Sequence, residues 1–491
     1  MDFSVKEIML AYFAMKDKVP PAKREEWKEL LSKIDVYKNY TQWRRTTEEA
    51  MRLSNINVYN MVGEYLREKE GMTDTAEYFD IHWPAQLKRF DENGMYMDPG
   101  CPLLYDLTTR CQIQIMIGMG YRGKFFESLD ANLKKAGLWT LFMQSSSYEL
   151  PFGGRSNQFL FNEGLIAANC EYEAVRYKKE GDLKLAGMFK RSARLAALSI
   201  KRWLGAKPPR HIKNFYPVES LHGTEGYGYY DKYMMTLGCF IYIAYLFADD
   251  SIEEYPCPAE AGGYIVKTSD DFHMVFANCR GNSIQINTKA DFRYDSTGLG
   301  RYHRRGFPTE LALSVPFTAA PNYNLAKGLK STNLAIGPGW QDENGKVQYL
   351  SELSENLNNT IELGCISKDL VSFTVTYTGE CFKGCRGVRE EYNIDSTGVT
   401  IETELIAPDT NKIFYRVPLF MFNGRDKSNI SVDKNIAYVK LDDYVYKVDA
   451  NDNSINLSDE IYSNRNGEYR PAIITAECGK ISLRLELTEA K

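Results

Sequence analysis

The first half of the chain alternates apolar and polar positions at the helical period. Residues 23–33 and 46–69 repeat apolar side chains three and four apart, with Met51, Leu53, Val58, Met61, Val62 and Tyr65 marking the second stretch. Segments of the same kind follow at about 74–90, 104–119, 124–142, 158–180, 182–203 and 229–248. Turn-forming clusters separate them: Asp98-Pro99-Gly100, Pro151-Phe152-Gly153-Gly154 and Lys207-Pro208-Pro209. Roughly ten helices of similar length in some 250 residues predict helical hairpins arrayed into a ring rather than a small bundle. The longest apolar run, Met234 to Phe247, is too short to span a bilayer and predicts a buried helix.

Near residue 255 the period changes from helical to two-residue alternation. Cys257-Pro258 and Ala261-Gly262-Gly263 mark the join. Short β-type runs follow at 264–266, 283–286, 371–377 and 399–406, with Asn-Gly turns at 344–345, 423–424 and 466–467. The expected fold is therefore α+β in two domains. Residues 1–254 form the helical ring and residues 255–491 an antiparallel β-sandwich, with a cleft at the join.

Composition narrows the function. The chain has 491 residues and a net charge of -5, from 60 Lys+Arg against 65 Asp+Glu. A sequence-independent nucleic-acid binder needs a basic surplus, so nucleic acid is not an expected partner. An acid lies early in Met1-Asp2-Phe3-Ser4-Val5-Lys6-Glu7, where a leader carries basic residues, and no apolar run is long enough for a span. The expectation is a cytoplasmic protein with no membrane partner. The ten cysteines are scattered, and the Cys381–Cys385 CxxxC has no second pair, so neither a disulfide scaffold, a metal nor another cofactor is expected. Homo-oligomerisation stays open. Tyrosine is abundant at 33, against only five histidines.

Three stretches could carry chemistry. The first, Tyr148 to Gly164, places Gly153-Gly154-Arg155-Ser156-Asn157-Gln158 ahead of a helix containing Glu163. Its backbone N–H groups and Arg155 suit a carboxylate, although Ser156 or Asn157 could simply cap the helix and Glu163 face solvent. The second packs His222, Glu225, Tyr227, Tyr229, Tyr230, Asp231 and Tyr233 into a glycine-loosened loop entering a helix. Its bland alternative is a set of core tyrosines with satisfied hydroxyls. The third, Arg301 to Pro308, gathers His303, Arg304 and Arg305 into a basic patch suited to an acidic sugar, or else a solvated loop. A weaker fourth, Asn93 to Gly100 followed by Tyr105, Asp106 and Arg110, reads equally as a helical ion pair.

Ser156 to Gly164 and Glu225 to Met234 together resemble two helix motifs of the heparinase II/III and alginate lyase superfamily. In the later motif an acidic residue precedes a tyrosine by five positions. The glycine-arginine-serine stretch is also similar to toroid β-glucuronidases. The resemblance implies an incomplete α/α toroid followed by an antiparallel β-sandwich, and a carbohydrate-active enzyme for uronic-acid oligosaccharides. The sequence departs from the pattern at Gln158, where those lyases carry His, and at Asp231, where a His commonly follows the tyrosine.

What the resemblance implies for mechanism is β-elimination. Tyr230 would abstract the C5 proton, assisted by His222 and His303. Arg155, Asn157 and Gln158 would neutralise the substrate carboxylate, with Glu163, Tyr227, Asp231, Arg304 and Arg305 completing the substrate contacts. The alternatives are a glycoside hydrolase with a carboxylate pair drawn from Glu163, Glu225, Asp231 and Asp106, and an inactive glycan-binding module.

Overall fold

The computed structural model describes residues 1–42 and 53–490. Three helices open it: α1 (Ser4–Met15), α2 (Pro21–Ser32) and the single turn α3 (Val36–Asn39). The predicted helix at 46–69 is α4 (Asn55–Lys69), started by a Ser54–Asn57 capping box, while Met51 and the rest of 46–52 lie outside the described residues. Then follow α5 (Ala76–Leu87), α6 (Leu103–Gly118), α7 (Phe126–Met143), α8 (Phe161–Glu180), α9 (Leu183–Leu204) and α10 (Tyr230–Phe247). Helix α8 packs against α6, α9 and α10, and α4 packs against α1 and α6, giving the curved toroidal array. One helix differs from expectation. Of the apolar run in α10, only Leu237, Phe240, Ile243 and Ala244 are buried, and Met235 and Tyr245 are 72% and 75% exposed.

A short helix α11 (Pro258–Ala261) ends the helical half. Among the described residues the strands form three antiparallel sheets rather than two. The first contains β1 (Tyr264–Lys267), β2 (Met274–Cys279), β3 (Asn282–Asn287) and β4 (Gly298–Arg304) in that order. The other two have eight and six strands and form the C-terminal sandwich. Strand β2 shows why the first sheet was not separable in the sequence. Met274 and Phe276 join the core of the helices, whereas Val275, Ala277 and Cys279 join the core of the sandwich. Alternate side chains thus enter two different apolar cores, so the strand is buried at every position and carries no polar face.

Among the described residues no helix is long and apolar enough to cross a membrane.

Candidate functional site

The loop from Tyr148 to Gln158 lies where the helices meet the strands, and its backbone explains its composition. Gly153 and Gly154 have φ of +142° and +79°, and a Cβ on Gly154 would lie 2.5 Å from Pro102 Cβ. Ser156 and Gln158 also take left-handed φ, of 60° and 68°. Such conformations persist only when the surroundings hold them. Here carboxylates do much of the holding. The Gly154 N–H donates to Asp295 Oδ2 at 2.8 Å and the Ser156 N–H to Glu225 Oε1 at 2.6 Å. Between them the Arg155 guanidinium pairs with Asp98 and donates to the Pro99 carbonyl at 2.6 Å. Gln285 closes the other end, accepting from Phe152 N and donating to Phe152 O.

The outer face of this loop is polar and aromatic. Arg155 lies over the Tyr105 ring at 4.2 Å and keeps 24% of its side chain exposed. Beside it, the Ser156 hydroxyl sits among three phenols: Tyr105 at 2.9 Å, Tyr227 at 3.1 Å and Tyr233 at 3.2 Å. Tyr227 is 42% exposed and forms the solvent side of the cluster. Burial raises the pKa of all three phenols.

Behind the loop is a buried charged layer. Arg465 donates to Glu225 Oε1 at 2.7 Å and to the Gly223 carbonyl, and stacks on Tyr323 at 4.1 Å. Asp295 has no ion-pair partner among the described residues, and burial pushes its pKa up to about 7, against the opposing pull of the Gly154 N–H and Arg465. Three buried atoms here, Glu225 Oε2, Tyr323 Oη and Asn466 Oδ1, have no hydrogen-bond partner among the described residues.

No protein-family model and no curated protein matches this chain. Among solved structures it is similar to a heparinase III gene product, with a TM-score of 0.55 and 8% identity over 100% of this chain and 68% of that one. The fold is heparinase III-like. It is also similar to the heparan sulfate lyase HepC of Pedobacter heparinus, with a TM-score of 0.42 and 10% identity over 99% of this chain and 75% of that one.

Within this heparinase-like fold the expected residues separate into two groups. Arg155, Glu225 and Tyr227 converge as described. Asn157 and Gln158 lie beside them but are buried, with their amides engaged internally. Asn157 donates to the Pro151 carbonyl, and Gln158 donates to Asn157 Oδ1 and accepts from Asn466. They shape the loop and do not point at a substrate carboxylate. Glu163 faces the interior rather than solvent. It shares the buried Lys213 ammonium with Glu149, at 2.8 and 3.1 Å, and accepts from Leu150 N.

Neither candidate histidine is free for proton transfer. Both nitrogens of His303 are bonded, to Ser145 Oγ at 3.0 Å and Ser314 Oγ at 2.7 Å, and burial lowers its pKa. His222 accepts from Ala326 N, so its other nitrogen donates to the Asn464 carbonyl at 2.9 Å; burial lowers its pKa to about 4. Tyr230 packs its ring edge-on to His211 at 5.2 Å, whereas Tyr227 and Tyr233 supply the hydroxyls at Ser156. Asp231 is exposed on the first turn of α10. The third stretch also disperses. Arg304 donates to the Leu487 carbonyl, and Arg305 lines a separate groove with Arg191, Glu254 and Glu260. Asp106, proposed for a carboxylate pair, is ion-paired to Arg110 in a fully buried helical contact.

Sequence reasoning missed Asp295, Tyr323 and Arg465. Each lies in the strand-rich half, far along the chain from the loops it meets. The usable signal was the polar run Asn464-Arg465-Asn466, whose side chains are too hydrophilic for an ordinary turn to be buried.

Proposed function

We propose that this protein cleaves uronic-acid-containing oligosaccharides by β-elimination at the Arg155–Tyr227 face. The observation that carries the reading is one partly exposed guanidinium, oriented by Asp98 and Tyr105, beside the Ser156 hydroxyl and the three phenols around it. Elimination needs the substrate carboxylate neutralised, so that the C5 proton becomes acidic, and an oxygen to take that proton. Arg155 serves the first need and Tyr227 the second. A Tyr227 phenolate takes the C5 proton, the bond to the leaving oxygen breaks as the C4–C5 double bond forms, and the phenol returns a proton to that oxygen. The names of the similar structures, a heparinase and a heparan sulfate lyase, agree with an acidic glycan as substrate. Burial opposes ionisation of Tyr227, so this reaction accelerates as pH rises.

A second reading, hydrolysis, is favoured by the carboxylates behind the loop. Glu225 is ion-paired to Arg465, whereas Asp295 holds its proton to about pH 7, a division of environments that suits an acid and its partner in glycoside cleavage. Incubation with uronic-acid oligosaccharides separates the two. Elimination gives a rise in absorbance near 235 nm that Tyr227→Phe abolishes. Reducing ends without that absorbance, lost in Asp295→Asn and kept in Tyr227→Phe, establish hydrolysis instead. Binding with no product of either kind identifies a glycan-binding module.

A further inference from the structure

The segment from Leu150 to Gln158 carries Arg155 and Ser156, and both of its ends are tied to one buried residue, Lys213, on the connection between α9 and α10. At the far end the Lys213 N–H donates to the Gln158 carbonyl at 3.0 Å. At the near end the Lys213 ammonium pairs with Glu149 Oε2 at 3.1 Å and with Glu163 Oε1 at 2.8 Å. The same Glu163 oxygen accepts the Leu150 N–H at 2.9 Å. The Lys213 carbonyl accepts from the Asn466 amide, which also donates to Gln158 Oε1. None of the three charged side chains is more than 1% exposed.

Two carboxylates at this depth need a cation between them, because charge is costly away from water and like charges repel. Burial and Glu149 both raise the Glu163 pKa, and Lys213 opposes them. Strand β4 turns two further groups toward the cluster. Arg301 acts electrostatically on both carboxylates, yet its hydrogen bonds go to the Leu150 and Ser314 carbonyls. His303 feels both Arg301 and Lys213, and burial keeps it neutral. Asp295 titrates at the middle of the loop, where it accepts the Gly154 N–H.

We infer that Lys213 is a positioning residue for the Arg155–Tyr227 face, clamping both ends of the loop and relieving the Glu149–Glu163 pair of a proton it would otherwise have to hold. The importance of that face rests on the function proposed above; the clamp does not. Without the ammonium the closed loop must keep a proton on the buried pair, whereas an opened loop lets both carboxylates ionise in water. Opening then releases a proton, so it becomes easier as pH rises. A lysine that merely filled space would leave, on removal, a loop loosened equally at every pH.

Hydrogen exchange of the full chain, read by mass spectrometry over the 150–158 amides, tests this in the native protein and in Lys213→Met. At pH 5 the variant exchanges within about threefold of native, and at pH 8 at least about tenfold faster. The ratio of variant to native cancels the chemical pH dependence of exchange and the titration of Asp295, which both proteins share. In Lys213→Met/Glu149→Gln/Glu163→Gln the pair cannot ionise, and the ratio stays level from pH 5 to pH 8. Calorimetric titration with glucuronate follows the same order, the affinity of Lys213→Met relative to native falling at least about tenfold between the two pH values. Native protein that binds no glucuronate counts against the Arg155 face, and the exchange ratio still decides on Lys213. Equal loosening at both pH values overturns the inference, as does none at either. So does a rise that the triple variant keeps, a rise shared equally by the α7 amides, or a Lys213→Met protein that is unfolded even at pH 5.

Discussion

Replacing Asp295 by Asn isolates the cost of keeping a carboxylate in the wall of the site. The residue is buried, its Oδ2 accepts the Gly154 N–H, and its pKa is raised from 3.8 to about 7 chiefly by burial. In the unfolded chain it titrates near 3.8. Between about pH 4 and 7 the native state therefore holds a proton that the unfolded state has released. Stability on this account is complete below about pH 4 and falls as pH rises through 7. The interval is roughly three units, and at about 1.36 kcal/mol per unit the loss approaches 4 kcal/mol on the alkaline side. Asparagine keeps an oxygen for Gly154 and cannot ionise. Its advantage over the native residue should be near zero at pH 4 and grow to about 4 kcal/mol by pH 8. Urea unfolding followed by tryptophan fluorescence at several pH values measures it. Glu173 and Glu390 are also raised to about 7 by burial and give the native protein a slope of the same sign, so the relevant quantity is variant minus native. A difference that stays flat across pH refutes the reasoning.

Other substitutions test the architecture around the loop. Arg465→Met removes the cation from the buried Glu225 pair and should destabilise by about 3–5 kcal/mol, most of it recovered when Glu225→Gln is added; thermal unfolding of the single and double variants measures both. Gly154→Ala places a Cβ against Pro102 at positive φ and should lose about 2–4 kcal/mol, together with any affinity for acidic saccharides, as read by calorimetric titration. Glu390 lies in the sandwich with Tyr392 and Tyr415 as its hydroxyl donors, so Glu390→Gln should flatten the pH dependence of stability without altering the saccharide site.

The helices were legible because their period and their glycine and proline separators are local properties. Segments read at 104–119 and 182–203 became Leu103–Gly118 and Leu183–Leu204. The change near 255 was legible for the same reason, with the last helix ending at Ala261 and the first strand starting at Tyr264. Strands β1 and β3 were legible as β-type runs at 264–266 and 283–286, but their separation into a sheet of their own was not, because a strand such as β2, buried between two cores, loses the alternation that identifies a sheet face. At the site, the two loops could be paired in the sequence only through their resemblance to two motifs of one superfamily; the structure sets them at the starts of two neighbouring helices, α8 and α10. Which side chains face outward could not be read. His222 and His303 attracted notice by their rarity, yet burial and complete hydrogen bonding turn both into framework. Tyr227 and Tyr230 look alike in the chain, and only the turn into α10 directs the first toward Ser156. Asp295 and Arg465 reach the loop across long chain separations, which no local pattern encodes.

The three carboxylates that grip the Gly153–Ser156 segment come from different parts of the molecule. Asp98 and Glu225 belong to the helical half, Asp295 to the strands, and Glu225 is itself secured by Arg465 near the C-terminus. The strained backbone is consequently a record of successful assembly: it can be held only after both halves have folded and met. Neither half expressed alone should display this face, and a lesion far away at the seam between them would silence it as surely as one at Arg155. In a cell, that arrangement delays the appearance of this face until the segment around Arg465 has been made and folded.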